Sequence, residues 1–252
     1  MATGARRRII VIAPTRAACE TIELAFTLDI ETLLWREHGC DLTTLAERFR
    51  AEDLAWTPGT ARQGFGIVAG TGTGKTLSIR PIAKVLLGVE SSGLGVESSE
   101  LGVESSGLGV ESSKRHPAHG LRVGVINRER EATPESPGWN VVIVTTGIAR
   151  RWFQDGDIRP QDTLVVDEIH QTSAELELCL ALGKRVGCRF IWLSATVDPR
   201  FYARYLDSAA VVESSSFDPA KAADVQVLRR TPFQFLDDRF LQIGRASCRE
   251  RV

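Results

Sequence analysis

The residues with the most explicit chemistry lie in the run Ala69-Gly70-Thr71-Gly72-Thr73-Gly74-Lys75-Thr76. Gly70, Gly72 and Gly74 permit backbone conformations closed to other residues, so successive N–H groups can turn inward on phosphate oxygens. The following helix start adds its partial positive charge. Lys75 is spaced to reach the β- and γ-phosphates of a nucleotide, and the Thr76 hydroxyl to ligate Mg²⁺. Thr71 and Thr73 complete the loop. The run matches the P-loop spacing, with Ala69 where the pattern's first Gly stands. Such a loop calls for an acidic partner that holds the metal, and Asp167-Glu168 supplies one. Asp167 is expected to hold the ion through water, and Glu168 to orient and activate the attacking water. Two adjacent carboxylates beside phosphates stay ionised together only with a cation among them, which points to one shared Mg²⁺ site with ATP.

These groups need elements to hold them. Residues 65–68 are apolar and partly β-branched, as expected of a buried strand leading into the loop. Residues 76–87 carry apolar side chains at helical spacing, although Pro81 suits a first turn better than a helix middle. Residues 163–166 form a second short apolar strand that runs into the two carboxylates. The strand–loop–helix context of the glycine-rich run is therefore present.

Further along, Asp167-Glu168-Ile169-His170 forms a DExH box. Val144-Thr145-Thr146-Gly147 follows an apolar stretch at 141–143, and Leu193-Ser194-Ala195-Thr196 follows another at 188–192. This ordered set resembles the first RecA-like lobe of superfamily-two helicases, most closely the DEAH/DExH-box RNA helicases. The resemblance covers residues 64–212 apart from a repeat insert, and residues 123–131 fall where that family has a strand before its TTG motif. It implies an α/β fold, a P-loop NTPase RecA-like lobe with a mainly parallel doubly wound sheet and a partly helical N-terminal region. It also implies roles. Gly70 to Thr76 bind ATP, and Thr76 and Asp167 hold Mg²⁺. Lys75, Asp167, Glu168 and His170 form the catalytic set, with His170 sensing nucleotide state. Ser194, Ala195 and Thr196 couple hydrolysis to strand separation, and Thr145, Thr146 and Gly147 lie against a sugar-phosphate backbone. Contacts of that kind carry no sequence code.

The implied protein is an ATP-dependent nucleic-acid helicase, RNA-directed rather than DNA-directed. A DNA helicase or translocase fits the same motifs, and so does a nucleotide-binding interaction module that unwinds nothing. The family's PTR- or PRR-type motif is missing from its usual place after the P-loop helix, where the insert and Lys114-Arg115-His116-Pro117 stand. A look-alike, Ala13-Pro14-Thr15-Arg16, lies ahead of the loop, either as a relocated equivalent of that motif or, the simpler reading, as a strand, a Pro turn and a helix. The arginine-bearing QxxGRxGR motif of the family's second RecA-like lobe does not occur, so this chain is expected to bind ATP better than it hydrolyses it.

Organisation follows from composition. Residues 1–60 read as an N-terminal region with helices near 19–26 and 42–54 joined by a turn at His38-Gly39. Residues 55–63 read as a linker, and the ATP-binding lobe as 61–215. Within it, 88–113 repeat GVESS with five Glu and no Lys or Arg, the composition of a flexible solvated insert. Residues 216–242 read as the start of a truncated second lobe. Residues 243–252 resemble a translated sequencing adapter, so the reading frame is expected to be cut there. Arg150-Arg151-Trp152-Phe153 pairs cations with aromatics, and a helix that buries the rings is the simpler reading.

The chain has 252 residues, with 31 Lys plus Arg against 32 Asp plus Glu, which excludes a basic nucleic-acid-coating protein. No apolar run is long enough to span a bilayer or form a secretory h-region. The five Cys lack CxxC spacing, so neither a zinc site nor a disulfide framework is expected. A cytoplasmic protein without a membrane partner is the expectation.

Overall fold

A computed structural model describes residues 7–89, 120–195 and 198–214. Most of the repeat insert, Thr196, the anticipated second-lobe start and the tail lie outside the described residues. Strands and helices largely alternate, except that two helices follow the first strand and two successive strands follow the third helix. They are β1 (Ile9–Ala13), α1 (Arg16–Thr27), α2 (Leu33–Ala55), β2 (Gly64–Ala69), α3 (Lys75–Leu87), β3 (Val123–Ile126), β4 (Val141–Thr145), α4 (Thr146–Asp155), β5 (Thr163–Val166), α5 (Ala174–Val186), β6 (Arg189–Ser194), α6 (Pro199–Tyr205) and β7 (Ser208–Ser214). The strands form one sheet in the order β3-β4-β1-β5-β6-β2-β7, and every pairing is parallel.

A parallel sheet covered on both faces needs strands that are apolar at every position, and β1, Ile-Ile-Val-Ile-Ala, is buried throughout. Its odd residues Ile9, Val11 and Ala13 face a core with Cys19 and Ile22 of α1, Leu42 and Phe49 of α2, and Ile79 and Ile82 of α3. Ile10 and Ile12 face the opposite core, with Ala149 of α4, Leu180 of α5 and Tyr202 of α6. The α/β doubly wound architecture is thus present, and the sheet is wholly parallel among the described residues.

Two sequence expectations are corrected. First, the boundary near residue 60 has no counterpart in the packing. β1 lies inside the sheet between β4 and β5, and α1 and α2 cover the same face as α3. Second, no turn interrupts the chain at His38-Gly39, because α2 runs unbroken from Leu33 to Ala55. Gly39 sits on its buried side, where a Cβ would meet the Trp35 indole at 3.1 Å. The glycine there accommodates a ring rather than ending a helix. Pro81 lies inside α3. Trp152 and Phe153 are half-buried against the core on α4, while Arg151 is exposed. No helix among the described residues is long and apolar enough to cross a membrane.

Candidate functional site

In a parallel sheet of this kind, the C-terminal ends of the strands open onto one edge where loops gather. The glycine-rich loop leaves β2 there, and the DExH segment leaves β5, with β6 between them. Gly72 and Gly74 take left-handed φ values of 82° and 93°, which turn the loop into the first turn of α3. Thr71 and Gly72 form its exposed tip. Lys75 is 5% exposed, and the one hydrogen-bond partner of its ammonium among the described residues is the Gly70 carbonyl, 3.2 Å from Nζ. A buried ammonium with a single carbonyl partner has donors left for an anion. Thr73 Oγ1 also donates to Gly70 O, at 2.7 Å.

The loop and the acidic segment meet directly. Thr76 Oγ1 donates to Asp167 Oδ2 at 3.0 Å, and the Glu168 N–H donates to Asp167 Oδ1 at 3.0 Å. Asp167 is 3% exposed. Burial pushes its carboxyl up to about 6, and the nearby Glu168 charge adds to the rise, while the hydrogen bonds from Thr76 and Glu168 N–H and the charge of Lys75 oppose it. No group of three or more His, Cys, Asp or Glu among the described residues could cage a metal. One carboxylate and one hydroxyl in contact suit Mg²⁺, which keeps waters and takes further oxygens from phosphates.

Glu168 has a left-handed φ of 51°, unusual for a side chain with a Cβ. The turn is pinned on both sides, with Ile169 N–H bonded to Leu193 O at 3.0 Å and Gln171 N–H to Glu168 O at 2.8 Å. Ile169 is fully buried. Glu168 Oε2 lies 3.1 Å from His170 Nδ1, and Ser194 Oγ lies 3.2 Å from the same nitrogen. A proton on Nδ1 faces both the Glu168 carboxylate and the Ser194 hydroxyl at the end of β6. Ala195 follows at the surface of this edge, half-buried.

On the other side of β5, β1 pairs Ile12 with both Val144 and Val166, and Ala13 with Thr145. Pro14-Thr15-Arg16 therefore emerges between the TTG and DExH segments, although it precedes the glycine-rich loop in the chain. It is a strand, a turn and a helix, as expected, with Thr15 Oγ1 capping α1 through Ala18 N–H at 3.1 Å. Its place beside the site was not legible from its position in sequence. Arg16 forms an ion pair with Glu129. Thr146 is 8% exposed, and its hydroxyl donates to Glu175 Oε2 at 3.3 Å. Thr145 caps α4 without a side-chain bond.

Sequence reasoning also missed two supporting groups. Leu34 N–H, at the start of α2, donates to Thr73 O at 3.1 Å, and the Thr32 side chain packs against Gly74. Glu175 stands in the first turn of α5, an ordinary place for an acidic side chain. Neither carries a spacing signal, since each acts through a contact between distant segments. Compared with known proteins, the chain matches no family model and no curated protein.

Proposed function

We propose that this chain is the RecA-like, ATP-binding lobe of an ATP-dependent nucleic-acid helicase, directed to RNA. The observation that carries the reading is the bond between Thr76 and Asp167, which joins the glycine-rich loop to the acidic strand across β6. Lys75, with spare donors, would reach the β- and γ-phosphates. Thr76 and Asp167 would hold Mg²⁺, which when bound neutralises charge on those phosphates. Glu168 would take the proton of the attacking water, steadied by His170, and Ser194 beside that ring links the hydrolytic turn to β6. Thr145, Thr146, Gly147 and Thr15 would lie along a sugar-phosphate backbone, contacts that tolerate any sequence.

Titration calorimetry with ATP and Mg²⁺ tests the first half of the reading. Lys75→Ala should weaken ATP binding by on the order of a hundredfold, equivalent to losing one strong charge-assisted contact of about 3 kcal/mol. Glu168→Gln should leave that affinity within a few-fold while lowering the slow phosphate release expected of this chain to background. Unchanged turnover in Glu168→Gln excludes the water-activating role. Absence of ATP binding in the unsubstituted chain overturns the reading as a whole.

A further inference from the structure

A cavity of about 320 Å³ lies between α3 and the segment that joins α1 to α2, a volume within the range of small-molecule sites. Its sides are residues 28–32 and the Trp35 indole, and its floor is α3 at Leu77, Arg80, Pro81 and Lys84. The cavity adjoins the glycine-rich loop. Thr32 lines it and also packs against Gly74, Leu34 N–H holds Thr73 O, and Leu77 directly follows the Lys75-Thr76 pair. At about 1.5 Å of rise per residue, Arg80 stands about 6 Å along α3 from Thr76. A nucleotide with its phosphates on the loop is long enough to reach it.

The charged side chains of the lining cancel, with Arg80 and Lys84 set against Asp29 and Glu31. A second phosphate gains little in such a place. A neutral group with apolar faces and an edge of donors and acceptors suits it better. Arg80 spends only Nη1 on the protein, 2.7 Å from Leu28 O and 2.5 Å from Asp29 Oδ1, which leaves its Nη2 and Nε donors. The Lys84 ammonium has no hydrogen-bond or ion-pair partner among the described residues. Ile30, 57% exposed, and Pro81 add apolar surface to the same cavity. We propose that this cavity receives the base and ribose of the nucleotide whose phosphates occupy the glycine-rich loop, with Arg80 and Lys84 donating to acceptors of the base. Thr32 then touches both halves of the ligand's site. The inference rests on the nucleotide-binding reading above and adds to its phosphate site a nucleoside site built by the α1–α2 segment.

Titration calorimetry on the full 252-residue chain in Mg²⁺ compares ATP with inorganic tripolyphosphate, which has the phosphate chain and no nucleoside. The unsubstituted chain should bind ATP at least tenfold more tightly, roughly the worth of one hydrogen bond to a charged group. Arg80→Ala should bring the two affinities to within about threefold by weakening ATP alone. Arg80 also holds the Leu28 carbonyl, so Lys84→Met serves as a second variant that leaves the α1–α2 segment anchored, and it should weaken ATP several-fold without changing tripolyphosphate. Circular dichroism confirms the fold of each. Equal affinities in the unsubstituted chain, or variants that lower both ligands alike or neither, overturn the inference and leave the phosphate site standing. Failure of the unsubstituted chain to bind either ligand overturns both.

Discussion

Asp167 shows how a single side chain can work against the fold that holds it. Its carboxyl, raised by burial to about 6, gives up its proton less readily in the folded chain than in the unfolded one. Between about pH 4 and pH 6 the folded state keeps a proton that the unfolded state has lost, so stability falls as pH rises through that window. Above it the full penalty, on the order of 3 kcal/mol, is present. Asp167→Asn preserves the hydrogen-bonding shape and removes the charge. It should therefore raise the melting temperature at pH 7.5 and leave it nearly unchanged at pH 4, as read by scanning calorimetry. A loss of stability at both pH values would show that the altered bond to Thr76, whose hydroxyl must then accept from the amide, outweighs the charge. A cation bound between Thr76 and Asp167 offsets the same penalty, so Mg²⁺ with ATP should stabilise the native chain more than its Asn variant.

At the scale of elements, the glycine-rich loop is held from behind by the start of α2. Gly74 has a left-handed φ of 93°, and a Cβ on it would stand 2.3 Å from Thr32 Cβ. Gly74→Ala should cost about 1–3 kcal/mol of stability and weaken ATP binding. Adding Thr32→Gly should recover the steric share of that loss and not the conformational share, which a thermal-melt comparison of single and double variants separates. The strand that runs into Asp167 and the loop ending in Lys75 and Thr76 were legible in the sequence because a short apolar run before two carboxylates and glycines at fixed spacing mark them. The length of α2 was not, since Gly39 breaks an isolated helix and yet fits one pressed against Trp35. Nor was the role of residues 9–16, because an apolar strand carries no mark of its neighbours. Only pairing with β4 and β5 sets Pro14-Thr15-Arg16 beside the site.

Across the whole molecule, the edge opposite the site is fastened by buried charge. Asp53 at the end of α2 bonds Arg62 Nη2 at 2.7 Å and Arg189 Nη1 at 2.9 Å. Arg62 also donates to Pro160 O and Asp162 O, and Arg189 is fully buried with its guanidinium 4.6 Å over the Phe49 ring. Asp53→Ala leaves buried Arg62 without its carboxylate and Arg189 with only the exposed Glu52, 3.2 Å from Nη2, and should destabilise by about 3–5 kcal/mol, seen as a lower denaturation midpoint with little change in the slope of the transition.

The place of β1 has a kinetic consequence as well. During synthesis its five apolar residues leave the ribosome long before either neighbour exists, since Ile9 pairs with Val141 and Thr163. Until then both of its edges are open. Pairing so distant in sequence slows folding and leaves a nascent strand prone to joining the wrong partner. Refolding from denaturant should be slow and lose yield as protein concentration rises, and a chaperone that shields extended apolar segments should restore it.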